Sequence, residues 1–108
     1  MAHRMLIVAR MNEADTEPVA DIFAKSDATE LPLMLGASRR TLFHYRGLYL
    51  HLIEAQEDFT GKLYEARGHD LFNDVNTKLS KHISPYDPNW REPRDAMADP
   101  FYTWVRPA

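Results

Sequence analysis

Three ionisable residues of this chain stand where the surrounding pattern calls for apolar ones. Asp27 lies in "FAKSDATELP", four residues after Phe23, in a run whose apolar residues Val19, Ile22 and Phe23 recur at helical spacing. Ser26, Asp27 and Glu30 occupy the next positions of that stripe. Arg40 opens "RTLFHY", and His51 sits inside "LYLHLIEA", between Leu50 and Leu52. A carboxylate and an imidazole can each take and return a proton, and a histidine of ordinary pKa, about 6.5, does so near neutral pH. A guanidinium can hold the negative charge that such a transfer creates. The set could therefore move protons on a substrate, provided that one fold brings its members together. Each member also has a plainer reading: a strand histidine hydrogen-bonded in the core, an aspartate in a solvated helix end, an arginine on an edge strand.

The composition narrows the classes of function. The chain has 108 residues, of which 44% are hydrophobic and 27% charged, which suits one ordinary globular domain spanning residues 1–108. A domain of this size buries roughly 60–70% of its unfolded surface, so one built around a cavity gains from a partner subunit. The net charge of -3 and pI of 5.9 come with no basic stripe, which argues against a nucleic-acid partner. Cysteine is absent, which excludes a disulfide framework and thiolate chemistry. The histidines are scattered at 3, 44, 51, 69 and 82, and there is no Gly-rich phosphate loop, so neither a metal nor another cofactor is expected. The apolar run Met5–Ala9 is too short for a membrane span or a signal segment, which predicts a cytoplasmic protein with no membrane partner.

The elements that must position the three residues follow from periodicity. Residues 4–11 read as a strand. Asp15 is placed to cap a helix with Pro18 in its first turn, and this helix carries the stripe that reaches Asp27 and Glu30. "ELPLMLG" reads as a linker ended by Gly36. Strands over about 38–46 and 48–56 follow, joined at Arg46-Gly47 by a tight hairpin turn. A second helix begins at Asp58 or Thr60 and is interrupted at Gly68-His69-Asp70. Leu71, Phe72, Val75, Leu79 and Ile83 continue at helical spacing. The stretch Ser84–Asp95 carries Pro85, Pro88 and Pro93 and is expected to stay irregular, shaping a pocket mouth or a subunit edge with Trp90 as an apolar plug. "FYTWV" at 101–105 reads as a last strand. The order β-α-β-β-α-(α)-β is the split βαβ, ferredoxin-like pattern of an α+β fold with an antiparallel sheet.

A two-residue turn fixes the hairpin register: Tyr45 faces Leu48, His44 faces Tyr49, Leu42 faces His51 and Arg40 faces Ile53. Cross-strand partners share a face of the sheet. One face then carries Arg40, Leu42, His44, Tyr49, His51 and Ile53. The other carries Arg39, Thr41, Phe43, Tyr45, Leu48, Leu50, Leu52 and Glu54. Arg40 and His51 become diagonal neighbours, roughly 7–8 Å apart; a three-residue loop would reverse the parity. The first face mixes a cation, two imidazoles and a phenol with aliphatics, the makeup of a ligand cavity. If the helices cover this face, Asp27, Arg40 and His51 meet there, with Ser26, Glu30, His44, Tyr49 and Trp90 as candidate substrate contacts. The second face, rich in large apolar side chains, predicts a homodimer.

The blocks "SDATELP", "RRTLF", "LYLHLIEA", "YEARGHDLF", "SPYDPNW" and "FYTW" resemble, in order and spacing and over essentially the whole chain, the tetracenomycin-type aromatic polyketide cyclases, found also in spore-pigment gene clusters. The resemblance implies a ferredoxin-like subunit that dimerises through its sheet into an α+β barrel. It implies a cyclase of type II polyketide synthase systems that folds and cyclises poly-β-keto chains or partly cyclised aromatics, with no metal or redox cofactor and with transient contacts to synthase components. Matched by motif, Asp27, Arg40 and His51 are the implied catalytic residues; the family often has a histidine where this chain has Ser26. The implied reaction is an intramolecular aldol condensation with loss of water. Two alternatives stay open: a cofactor-free quinone-forming monooxygenase of the same barrel architecture, and a binding protein that only templates spontaneous cyclisation.

Overall fold

The computed structural model describes residues 3–58 and 60–108. Strand β1 (His3–Met11) is followed by a 3-10 turn, then α1 (Thr16–Asp27) and the short α2 (Leu31–Leu35). Strands β2 (Ala37–Tyr45) and β3 (Leu48–Ala55) form the hairpin. Helices α3 (Thr60–Ala66) and α4 (Asp70–Leu79) precede the short strands β4 (Ile83–Pro85) and β5 (Met97–Ala98). The sheet is antiparallel with order β2-β3-β1-β4, and β5 pairs with β1 beside β4. This is the strand order of the split βαβ pattern, so the α+β class read from the sequence holds.

The hairpin register is the one that a two-residue turn dictates, with Arg40 opposite Ile53 and Leu42 opposite His51. Arg46 and Gly47 both have positive φ, 46° and 84°, as a type I′ turn requires. Past Arg39 a bulge at Ser38 shifts the register by one residue, and the Ser38 hydroxyl donates to the Glu54 carbonyl at 3.0 Å.

Among the described residues the helices cover one face of the sheet. Two apolar clusters fill the space between. One joins Met5, Ile53 and Ala55 to Leu31, Leu35, Leu63 and Ala66. The other joins Ala9, Met11 and Tyr49 to Val19 and Phe23 of α1. Ile7 packs against both and is the cross-strand partner of His51, so the histidine sits at the seam between them.

Four expectations are corrected. "ELPLMLG" is not a linker: Pro32 lies in the first turn of α2 and Gly36, at φ 74°, takes the left-handed position that ends it, while Leu31 and Leu35 point one turn apart into the core. Glu30 therefore precedes α2 and does not extend α1. Ile83 belongs to β4, not to a helix, because α4 ends at Leu79. Residues 101–105 form no strand: the outer edge of β1 is already taken by β4 and β5, and Phe101, Tyr102, Trp104 and Val105 are 99%, 77%, 66% and 71% exposed. The stretch Ser84–Asp95 is irregular apart from the end of β4 and the start of the 3-10 turn Pro93–Ala96.

Candidate active site

Asp27 is the last residue of α1, and Phe23 lies one helical turn before it, so both point to the same side. That side rests on the hairpin face carrying Arg40 and His51. The Arg40 guanidinium reaches in two directions: one terminal nitrogen lies 3.0 Å from Oδ1 of Asp27, and the other donates to Nε2 of His51 at 3.0 Å. The chain continues to Tyr49, whose hydroxyl lies 2.9 Å from Nδ1 of His51. Phe23 backs the group. Arg40 stacks over its ring, 4.6 Å from the centroid, and the His51 ring meets it edge-on with centroids 5.1 Å apart. The structure thus brings the three predicted catalytic residues into one connected set.

Burial grades along this chain. His51 is 5% exposed; the side chains of Arg40 and Asp27 are 13% and 39% exposed. Burial, and secondarily the adjacent Arg40 charge, pushes the His51 pKa down to about 3. The imidazole is therefore neutral at physiological pH, which corrects the expectation of a proton carrier poised near 6.5. Burial likewise pushes the Tyr49 phenol up, partly offset by Arg40, so its hydroxyl keeps its proton. Nε of Arg40 is buried and has no hydrogen-bond partner among the described residues, a condition that costs about 1–3 kcal/mol. The carboxylate of Asp27 is the most exposed member of the set.

The other candidates divide. Ser26 is buried beside Asp27, and its carbonyl accepts from the Thr29 hydroxyl at 2.6 Å, which shapes the exit of α1. Tyr49 is in the set. His44 is not: its Nε2 donates to the Met11 carbonyl at 3.1 Å and ties the hairpin to the end of β1. Glu30 is exposed at the start of α2, with no contact to Arg40 among the described residues. Trp90, 38% exposed, lies in the turn after β4, at the sheet edge opposite β2, and does not join the set. Sequence reasoning missed Phe23 as a site residue, although its spacing to Asp27 held the signal. It also missed the pairing of Asp15 with His82 at 2.8 Å, which takes the Asp15 side chain away from the capping role expected of it.

Cavities open elsewhere on the surface formed by the described residues. One of about 280 Å³ is lined by His3, Arg4, Asp58 and Arg94, among others, and one of about 150 Å³ lies between Val8 and Tyr86. Neither is lined by Asp27, Arg40 or His51. Among the described residues no three metal-ligating side chains converge, and none of the helices is long and apolar enough to cross a membrane.

The sequence profile of a family described as polyketide synthesis cyclase matches residues 3–105. The chain is 49% identical over 107 residues to tetracenomycin F2 cyclase of Streptomyces glaucescens, covering 99% of this chain and 98% of that protein. It is 42% identical over 105 residues to the polyketide synthase protein CurG of Streptomyces cyaneus, covering 96% and 98%. The solved structure of the Streptomyces glaucescens cyclase, described as a type II polyketide cyclase, superimposes with a TM-score of 0.92 at 48% identity, covering 97% of this chain and 99% of that one. A Bacteroides thetaiotaomicron protein of unknown function shares the fold at 15% identity and a TM-score of 0.54, covering 77% and 88%.

Proposed function

The chain belongs to the polyketide synthesis cyclase family, and from that premise we propose that it closes and aromatises a ring of a poly-β-keto or partly cyclised aromatic intermediate, by an intramolecular aldol reaction without a cofactor. The observation that carries this reading is the unbroken contact from Asp27 through Arg40 to His51.

In this reaction the Asp27 carboxylate removes a proton from a carbon flanked by two carbonyls. The enolate carbon attacks a ketone carbon of the same chain, forming the new C–C bond, and the ketone oxygen takes up the proton from Asp27. Loss of that hydroxyl as water, together with a second C–H proton, leaves the ring double bond. Arg40 holds the carboxylate in place and stabilises negative charge beside it. His51 holds Arg40. The β-diketone protons are already acidic, so much of the acceleration comes from holding a floppy chain in one geometry. Ser26 and Tyr49 support this end of the substrate site.

The protein works as a homodimer in the cytoplasm, in transient contact with type II synthase components. Support for the dimer comes from the uncovered face of the sheet, where Phe43 and Tyr45 are 50% and 57% exposed, and from the exposed aromatic residues after β5. Sedimentation at micromolar concentration checks this: the expected species is twice 12.5 kDa, and a clean monomer would sink the dimer.

The test of the activity is product analysis of a minimal type II synthase with no cyclase, with this protein, and with its Asp27→Asn variant. The expected result is a new cyclised product that the variant fails to give. An unchanged product distribution overturns the reading. Product formation by Asp27→Asn at the wild-type rate favours a template, and oxygen uptake with product favours a monooxygenase.

A further inference from the structure

We propose that Tyr49 is a positioning residue for the reaction: its hydroxyl accepts from Nδ1–H of His51 and anchors the ring whose Nε2 lone pair holds Arg40 against Asp27.

The contacts admit one assignment of protons. A guanidinium has only N–H groups to offer and stays protonated, so Nε2 of His51, 3.0 Å from Arg40, must present its lone pair. A protonated imidazole would point an N–H at an N–H and a positive charge at a positive charge. The neutral ring must then carry its proton on Nδ1. The acceptor there is the Tyr49 hydroxyl, 2.9 Å away. Were the tyrosine to donate instead, the ring would need two lone pairs and a negative charge. The hydrogen bonds thus run from His51 Nδ1–H to Tyr49 and from Arg40 to His51 Nε2.

The surroundings hold this arrangement in place. Tyr49 and His51 are 4% and 5% exposed, so water does not compete. They lie two apart on β3, on the same face, with rings at 70° to each other. From α1, Phe23 packs against His51 and Asp27 bears on it through Arg40; from β2 comes Arg40; from β1 comes Ile7, which is apolar. Arg40 is the only cation in contact with the ring among the described residues. Burial and that cation both favour the neutral imidazole. Among the described residues Tyr49 is linked to Arg40 and Asp27 through His51, and this role is distinct from that of a substrate contact.

Without the hydroxyl, Nδ1–H is left buried and unpartnered. Arg40 still bars a proton from Nε2, but the ring loses the hydrogen bond that fixes its orientation, and the guanidinium is held less firmly against Asp27. Tyr49→Phe keeps the ring packing and removes only the oxygen.

The test has a spectroscopic and a kinetic arm. Long-range nitrogen–proton NMR of the ¹⁵N-labelled protein without substrate, with His51 assigned by difference against His51→Gln, reads the tautomer directly. In the wild type at pH 7, Nδ1 should be protonated and Nε2 not. In Tyr49→Phe the Nδ1–H proton should lose its acceptor, shift upfield and exchange faster with water, kcat should fall roughly tenfold, and KM should stay within about twofold. A wild-type His51 in the Nε2–H or imidazolium form overturns the proposal, whether or not Tyr49→Phe folds. So does a Tyr49→Phe protein with an unchanged Nδ1–H signal or an unchanged kcat. The kinetic arm rests on the cyclase reading, whereas the NMR arm does not. Loss of the cyclase reading therefore appears as absent wild-type turnover, with the tautomer result standing on its own.

Discussion

Arg39 and Arg40 are neighbours in sequence and live in different worlds. Arg39 is 75% exposed at its side chain, on the face of the sheet that no helix covers, and reaches Glu54 at 3.9 Å. Arg40 is 13% exposed under α1, with partners at 3.0 Å on either side. An exposed ion pair such as the first contributes little, typically 0–1 kcal/mol, because water and salt screen it. The second is desolvated, so each partner matters: removing one leaves charge buried without compensation. Residue type does not separate the two. What separates them is the alternation of the strand, which sends one side chain to the seam between two apolar clusters and the next to a bare apolar face. The contrast teaches that the covered face carries the desolvated ionic set on which the proposed chemistry rests, while the open face is the one proposed for assembly.

The sharpest way to break that contrast is to make the same change at both positions. Arg40→Gln should lower kcat by about 10²–10³-fold, the usual cost of losing a group that holds developing negative charge. Arg39→Gln should change it by less than about twofold. Combining Arg40→Gln with Asp27→Asn should cost no more than the worse single change, since groups serving one transition state fail together. Equal effects at 39 and 40, measured by steady-state kinetics, would mean that the face does not decide the role.

On the open face the corresponding change is Leu50→Lys. Leu50 pairs with Phe43 and Val8 across the strands, at the middle of the apolar face. A charge there should shift the protein to monomer in sedimentation while its circular dichroism stays that of a folded α+β chain. A variant that remains a dimer would place the subunit contact elsewhere.

The hairpin was legible because two-residue turns impose parity: once Arg46-Gly47 is read as the turn, the side of Arg40, His51 and Tyr49 follows, and all four predicted pairs are observed. Asp27 was legible from the helix stripe, and Phe23 could have been read from the same spacing. The protonation of His51 was not legible, because the shift to about 3 comes from burial by residues distant in sequence and from the Arg40 charge. Helix α2 was hidden by its length: five residues are too few for periodicity to register, although Pro32 and Gly36 marked its ends. "FYTWV" has the composition of a strand, but composition does not say whether a sheet edge of the same chain is free to receive it. Glu30 was expected on the helix stripe, but α1 ends at Asp27 and Glu30 stands at the start of α2; Trp90, expected at a pocket mouth or subunit edge, lies in the turn after β4, away from Arg40 and His51 within the subunit.

The neutral His51 gives a pH test. Its folded pKa, about 3, lies below the ordinary value of about 6.5. Between those values the unfolded chain binds a proton that the folded one refuses, so the stability this group contributes is intact above pH 6.5 and falls as the pH drops toward 3. The slope is about 1.4 kcal/mol per pH unit for one proton. Denaturant unfolding at pH 4, 5, 6 and 7 should therefore show a steeper acid loss in the wild type than in His51→Gln. Parallel curves would show that His51 titrates alike in both states, which the buried seam does not allow.

The smallest effect concerns the turn that sets the two faces apart. Arg46 holds φ 46°, a left-handed conformation that costs a side-chain-bearing residue on the order of 1 kcal/mol. Its guanidinium recovers part of this by lying over the Tyr45 ring at 5.3 Å, a contact worth about 0.5–1 kcal/mol when exposed. Asparagine tolerates the left-handed region and favours the first position of a type I′ turn before glycine. Arg46→Asn should therefore be neutral to stabilising by about 0.5 kcal/mol, a rise of roughly 2–4 °C in Tm by calorimetry. Gly47→Ala is the converse. The turn leaves open space around a Cβ at that position, so the loss, about 1 kcal/mol, would come from φ 84° alone. Activity should follow neither change, because the register is held further along the strands by Leu42 opposite His51 and Arg40 opposite Ile53. A Gly47→Ala protein that lost activity while keeping its Tm would show that the turn, rather than the strand pairing, keeps Arg40 and His51 on the same side.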